Sequence, residues 1–100
     1  MTTVKSLAPV PLHRGGGEQL CLRLMAGDPV RIEVWGELGT GSGHLLIELV
    51  EHVLRAGPPA VVLDLSHART LSAGGVRVLR LAQTMIVAAG ARVSVSGARG

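Results

Sequence analysis

AVVLDLS, residues 60–66, decides the fold of this chain together with LSAGG, residues 71–75, which follows it closely. The first stretch is a short and nearly continuous apolar run, which is typical of a strand covered on both faces by helices. The second contains one hydroxyl, an alanine and two glycines, and it precedes VRVLRLAQTMIVAAG, whose apolar residues are spread widely around a helix. The two stretches predict a strand followed by a deeply buried helix.

The sequence upstream of this unit predicts a hairpin and another helix. QLCLRLM and VRIEVWGEL flank a turn at residues 26–29, and the alternation in the second of them places Trp35 on the face away from the core. HLLIELVEHVLRAGPP carries an apolar stripe at helical spacing and ends at Gly57 before two prolines. ARVSVS supplies a last strand. The order is β-β-α-β-α-β, an α/β fold with a mixed sheet, helices packed against it and parallel, right-handed crossovers.

Length and composition limit the classes of protein that fit. One hundred residues make one domain, which we place at residues 18–100, after a flexible Gly- and Pro-containing leader at residues 1–17. Ten basic residues face seven acidic ones without a basic run or an aromatic ladder, which argues against nucleic-acid binding. No apolar run reaches the roughly 18–20 residues of a membrane span. With Cys21 as a single, small buried hydrophobe, we expect a cytoplasmic protein without membrane insertion.

One group of residues near the end of the central strand contains the residue types of a catalytic triad. Asp64, Ser66, His67 and Ser72 lie near one strand end, so a Ser-His-Asp hydrolase is one candidate. However, the neighbours Ser66 and His67 project in different directions, and the G-x-S-x-G pattern is missing around Ser72. The histidines show no paired metal-ligand spacing apart from a single helical Glu-His pair. We therefore predict a protein that is not an enzyme and has no metal or cofactor.

GTGSG, residues 39–43, resembles a nucleotide loop only in its glycine content. A dinucleotide fingerprint would need glycine where His44 stands, and the Gly-Lys-Ser/Thr ending of a P-loop is absent. We expect Ser42 to be the N-cap of the helix that follows. In the same way, Ser72 is expected to cap a helix over residues 73–89. The alternative is that the N–H groups and dipole at this helix start accept a phosphate or an acidic side chain of a partner.

Three stretches resemble the STAS domain family, named for sulfate transporters and anti-sigma factor antagonists. VRIEVWGELGTGS is similar to the family's second strand and Gly-Glu-Leu-Asp loop, and LRAGPPAVVLDLS to its helix end and Asp-Leu-Ser strand. LSAGGVRVL is similar to the Asp-Ser-Ser-Gly-Leu stretch that opens the second helix. The resemblance spans roughly residues 19–96 and follows the element order predicted above. It implies a STAS-like fold, short at the C-terminus because family members usually continue through another helix.

The resemblance also implies a binding function with a changed phosphorylation motif. In anti-sigma factor antagonists, the first serine of Asp-Ser-Ser-Gly is phosphorylated by an anti-sigma factor that is also a kinase, and phosphorylation releases that partner. In the ungapped register, the motif's Asp falls on Ser72 and its phosphorylated serine on Ala73. Ser72 is a candidate phosphosite only in a shifted register, which would put Gly75 where an apolar helix residue is expected. The loop aspartate is replaced by Gly39.

The expected partner is therefore a kinase-type anti-sigma factor, with a homodimer as a further candidate assembly. An accessory STAS subunit of a transport or multiprotein complex is the alternative function. The expected partner-binding residues lie in the 39–42 loop, at the end of the central strand and at the start of the second helix: Gly39, Thr40, Ser42, His67, Thr70, Ser72, Ala73, Gly74, Gly75 and Arg77.

Overall fold

The computed structural model describes residues 19–97, so the leader predicted at residues 1–17 lies outside the described residues. The elements are β1 (Leu20–Met25), β2 (Val30–Leu38), α1 (Gly43–Leu54), β3 (Ala60–Leu71), α2 (Ala73–Ala88) and β4 (Arg92–Ser96). The sheet has the strand order β1-β2-β3-β4. β1 and β2 pair antiparallel, whereas β2 with β3 and β3 with β4 pair parallel. The predicted element order and mixed sheet are confirmed.

Glycines end both helices where the sequence predicts it. Gly57 and Gly90 follow α1 and α2 with φ angles of 68° and 91°, in the left-handed region that glycine enters without a steric cost. α2 ends at Ala88, one residue before the predicted boundary, and Ala89 is its C-cap.

The hydrophobic core lies between one face of the sheet and both helices. On β3 it takes alternate residues, Val61, Leu63 and Leu65, while α1 and α2 contact each other above that face. Within residues 19–97, helices cover β3 on one face only, so the expectation of helices on both faces is wrong for that part of the chain. The apolar run of β3 does not reveal this, because the opposite face carries Val62 and then Asp64. Asp64 is buried, but the groups that cover it are its hydrogen-bonding partners and its neighbours on the sheet, and not a helix layer.

Polar pairs cover the other face of the sheet, which we call the open face. Arg31 on β2 donates to Asp64 on β3 at 3.0 Å, and Arg23 on β1 lies 3.5 Å from Glu33 on β2. Cys21 on β1 lies on this face beside the polar pairs and is half-buried, so the expectation of a buried thiol is wrong. These cross-strand charges give the open face a solvated character.

Trp35 and His67 stack on the open face. Their ring centroids are 3.7 Å apart and their planes differ by 4°. The indole Nε1 donates to Glu33 at 3.0 Å, so both the ring face and the N–H of Trp35 have partners within the chain. The prediction that Trp35 points away from the core is confirmed.

Irregular pairing lengthens β3 relative to β2. The register shifts once between Glu33 and Trp35 and again between Gly36 and Glu37. At each shift β3 contributes one more residue than β2, so that Thr70 lies opposite Glu37 and Leu71 opposite Leu38. The extra length carries β3 to the end of β2, where the loop before α1 and the start of α2 meet.

Candidate functional site

Ser72 is the N-cap of α2, as predicted. Its backbone is extended, with φ −80° and ψ 174°, and its Oγ accepts a hydrogen bond from the Gly75 N–H at 3.1 Å. The Ser72 N–H donates to the Leu38 carbonyl of β2 at 3.2 Å. Ser72 therefore begins the helix and also attaches it to the end of the neighbouring strand.

The first turn of α2 lies directly against the loop of residues 39–42. A Cβ on Gly75 would collide with the Leu38 carbonyl, and a Cβ on Gly74 would collide with Thr40. Both glycines are thus required by close contact with the preceding loop and not by an unusual backbone angle. Two segments that are more than thirty residues apart in sequence form one continuous surface here.

Ser42 does not cap α1 through its side chain, which corrects the prediction. It occupies the N-cap position, but its Oγ donates to the Glu37 carbonyl at 3.3 Å and accepts from the Gly39 N–H at 3.4 Å. Its φ and ψ of −111° and −6° differ from the extended N-cap conformation and direct the hydroxyl back toward β2. Ser42 is 4% exposed, so it holds the 39–42 loop from the inside.

The predicted partner-binding residues divide into an exposed surface and a buried frame. We call the exposed set around the α2 N-terminus the α2 face: Thr40, Thr70, Ser72, Ala73 and Arg77. Gly74 is half-buried between them. Gly39, Ser42 and Gly75 are buried beneath this surface and shape it. His67 is exposed but stacks with Trp35 on the open face, so the structure places it in a separate environment.

Two exposed apolar side chains that border the α2 face are not among the predicted partner-binding residues. Leu71 is 37% exposed and Val76 is 42% exposed, and they lie just before and just after the capped turn. Both lie in segments whose apolar residues predict burial, so periodicity gives no signal for their exposure, and the expectation of a deeply buried helix is wrong at Val76. Both therefore leave part of their apolar surface open to solvent beside the small residues of the turn.

The α2 face is electropositive. Ahead of the capped Gly75 N–H, α2 begins with the backbone N–H groups of Ala73 and Gly74, has no acidic residue in its first turn, and carries Arg77 and Arg80 as its only charged residues. The partial positive charge of a helix N-terminus adds to that of Arg77. The arrangement favours contact with an acidic group.

The hydrolase arrangement is not formed. Asp64 accepts from both the Ser66 N–H at 2.9 Å and the Ser66 Oγ at 2.6 Å, with no histidine between serine and carboxylate. His67 stacks on Trp35 instead. The hydrogen bonds from Ser66, helped by Arg31 and opposed by partial burial, lower the pKa of Asp64 below its usual value of 3.8. This group of residues stabilises the open face.

Metal-binding clusters and membrane-spanning helices are both absent from residues 19–97. In that part of the chain, no three His, Cys, Asp or Glu side chains come together in a way that could hold a metal ion. Neither of the two helices there has the length and apolar character needed to cross a bilayer.

Comparison with known proteins identifies the fold. No protein-family model matches the sequence, and no curated protein matches it. Among solved structures, an antisigma-factor antagonist STAS domain from Rhodobacter sphaeroides aligns with a TM-score of 0.65 at 21% identity, covering 78% of this chain and 86% of that one. An anti-sigma factor antagonist from Mycobacterium paratuberculosis aligns with a TM-score of 0.68 at 22% identity, covering 85% and 72%.

These alignments confirm the resemblance seen in the sequence at the level of three-dimensional structure. They cover most of the four strands and two helices described above, in an α/β arrangement with a mixed sheet. The chain has the fold of a STAS domain.

Proposed function

We propose that this protein is a cytoplasmic regulatory binding module that acts as an anti-sigma factor antagonist through its α2 face. The observation that carries the proposal is the contact between the 39–42 loop and the first turn of α2, where Gly74 meets Thr40 and Gly75 meets Leu38. This contact builds an exposed surface of small, apolar and basic residues on a rigid frame. The two structural neighbours described above are both antisigma-factor antagonists, which supports the same role here.

The partner in this proposal is an anti-sigma factor of the kinase type. Ala73 is the first residue of α2 and is exposed, so it stands where the resemblance puts the phosphorylated serine and offers no hydroxyl. Without an acceptor, no phosphate can be added at this position to repel the partner. We therefore expect the protein to stay in its binding-competent form.

Ser72 is the nearest hydroxyl, and its geometry supports a structural role. Its Oγ is engaged with the Gly75 N–H, and its position before the helix corresponds to the motif's aspartate, another residue that caps helices well. The capping geometry thus favours the ungapped register, in which Ser72 is not the phosphosite.

The proposal is tested by isolating the tagged full chain from its native cells and analysing the eluate by mass spectrometry. A kinase-type anti-sigma factor bound to protein with unmodified Ser72 is the expected result. Phosphate on Ser72 would restore a phosphorylation switch and contradict the register. Recovery of transport-complex subunits, with no anti-sigma factor, would contradict the antagonist role in favour of an accessory subunit.

A further inference from the structure

α2 carries two arginines of one sign of charge with no carboxylate to balance them. Arg77 and Arg80 are both exposed, and α2 contains no acidic residue at any position. The ion pairs formed among residues 19–97 lie on the open face of the sheet, and neither arginine of α2 takes part in one. Residues three apart are neighbours on a helix surface, so the two guanidinium groups repel each other. A carboxylate brought by a partner would relieve this repulsion.

Apolar side chains border the two arginines. Val76 is 42% exposed and lies four residues before Arg80, and Leu81 is 50% exposed and lies four residues after Arg77. Residues four apart also adjoin on a helix surface. We call these four residues the arginine patch: Val76, Arg77, Arg80 and Leu81. The arginine patch continues the α2 face along the helix, because Arg77 belongs to both.

The exposed side of α1 has a different composition. It carries His44, Glu48, Glu51 and His52, and none of the large apolar side chains exposed among residues 19–97 lies on α1. At protein–protein interfaces arginine is enriched, whereas glutamate and aspartate are depleted. By this criterion the arginine patch has the composition of a binding surface, and the exposed side of α1 has that of a solvated helix.

The charge of the remaining sequence argues against this chain as the occupant of the arginine patch. The residues outside 19–97 include Lys5, Arg14 and Arg99, with Glu18 as their one acidic residue. These segments would bring mainly like charge to the patch. A second copy that met the first patch to patch would oppose arginine to arginine. Charge complementarity therefore favours a separate, acidic protein.

We propose that the arginine patch binds an acidic segment of the anti-sigma factor, with carboxylates at Arg77 and Arg80 and apolar side chains against Val76 and Leu81. This inference rests on the antagonist function proposed above and adds the chemistry of the partner's surface. It also gives a basis for selection, because an anti-sigma factor with a basic surface at this position would be repelled by both arginines.

Carbodiimide cross-linking tests for the carboxylates. Lys5 is the single lysine of the chain, so Arg80→Lys in a Lys5→Arg background leaves one lysine, at the arginine patch. Carbodiimide condenses an amine with a carboxylate that contacts it, forming an amide with loss of water. Mixed with the captured anti-sigma factor, this variant should give an adduct that joins its lysine to an Asp or Glu of the partner. Arg55→Lys in the same background is the matched control at the exposed C-cap of α1.

We expect the Arg80→Lys variant to form this adduct several-fold faster than the Arg55→Lys variant. Equal rates, or a complex in which the Arg80→Lys variant gives no adduct, would overturn the proposal. An amide formed within the chain or between two copies would also overturn it, because the occupant would then be this protein itself.

Charge reversal separates failure of this inference from failure of the proposed function. In calorimetric titration with the captured anti-sigma factor, Arg80→Glu should weaken binding about tenfold, whereas Arg55→Glu, with the same change of net charge, should have little effect. Equal affinity of these two variants, combined with weaker binding by Ala73→Glu, would overturn the arginine patch and leave the α2 face in place. If the natural protein binds no anti-sigma factor, the antagonist function and this inference both fail.

Discussion

The two helices described here, α1 and α2, both begin after a serine, and the two serines have different roles. Ser72 is exposed and caps α2 through the Gly75 N–H, whereas Ser42 is buried and bonds back to Glu37 and Gly39. Ser72 stabilises a helix end, whereas Ser42 stabilises a loop. The comparison shows that a serine at a helix start can serve the segment before it as well as the helix after it.

The contact below Ser72 should be highly sensitive to substitution. Gly75→Ala places a Cβ against the Leu38 carbonyl, a backbone atom that also accepts the Ser72 N–H, so we expect a loss of about 1–3 kcal/mol. Gly74→Ala is the matched comparison, because its closest neighbour is the Thr40 hydroxyl, which can rotate away. Urea unfolding should show the larger loss for Gly75→Ala, and the opposite order would mean that the two segments do not approach as described.

Substitution by aspartate should change the stability of the protein very differently at Ser72 and at Ser42. At Ser72 it preserves the cap and complements the helix dipole, so Ser72→Asp should retain stability. At Ser42 it would place a carboxylate in a position that is 4% exposed, and we expect a loss of about 2 kcal/mol or more. Thermal unfolding of both variants is the measurement. Equal tolerance would contradict the buried position of Ser42.

Substitution by alanine should also destabilise the protein more at Ser42 than at Ser72. Ser42→Ala leaves the buried Gly39 N–H without its serine acceptor, at a cost of about 1–3 kcal/mol. Ser72→Ala removes a cap that water can partly replace, for about 1 kcal/mol. Chemical denaturation resolves the two values. A larger loss for Ser72→Ala would reverse the assignment of loop and helix roles.

A third serine, Ser66, stabilises the protein to an extent that depends on pH. It lowers the pKa of Asp64, and a carboxyl whose folded-state pKa is depressed adds stability that is complete above its unfolded-state value and lost as pH falls through the folded-state pKa. Ser66→Ala should therefore destabilise at pH 7, and the difference from the natural protein should shrink below about pH 4, near the ordinary carboxyl value. Unfolding midpoints at pH 7, 4 and 3 measure it, and a difference constant with pH would contradict the Ser66–Asp64 bond.

Much of the fold could be predicted because local rules govern it. Alternation in β2 and the glycines after each helix indicate strand faces and helix ends without reference to distant residues. The Ser72 cap belongs to the same class, since its acceptor and donor are three residues apart.

The errors arose where distant segments meet. The direction of the Ser42 hydroxyl depends on the end of β2, and the contact of Gly74 with Thr40 depends on how α2 returns to the sheet. The apolar run of β3 predicts helices on both of its faces, but on the open face Asp64 is covered by Arg31 of β2 and by Ser66 of its own strand. A run of apolar residues does not reveal these contacts. The partner-binding role of the α2 face remains a proposal.

The most direct test of that proposal is the affinity of a captured anti-sigma factor for an Ala73→Glu variant. A carboxylate at Ala73 mimics the added charge of phosphorylation, while Ala88→Glu makes the same exposed change at the other end of α2. Calorimetric titration should show at least a tenfold loss of affinity for Ala73→Glu, about 1.4 kcal/mol, and little change for Ala88→Glu. Unchanged affinity for Ala73→Glu would contradict binding through the α2 face.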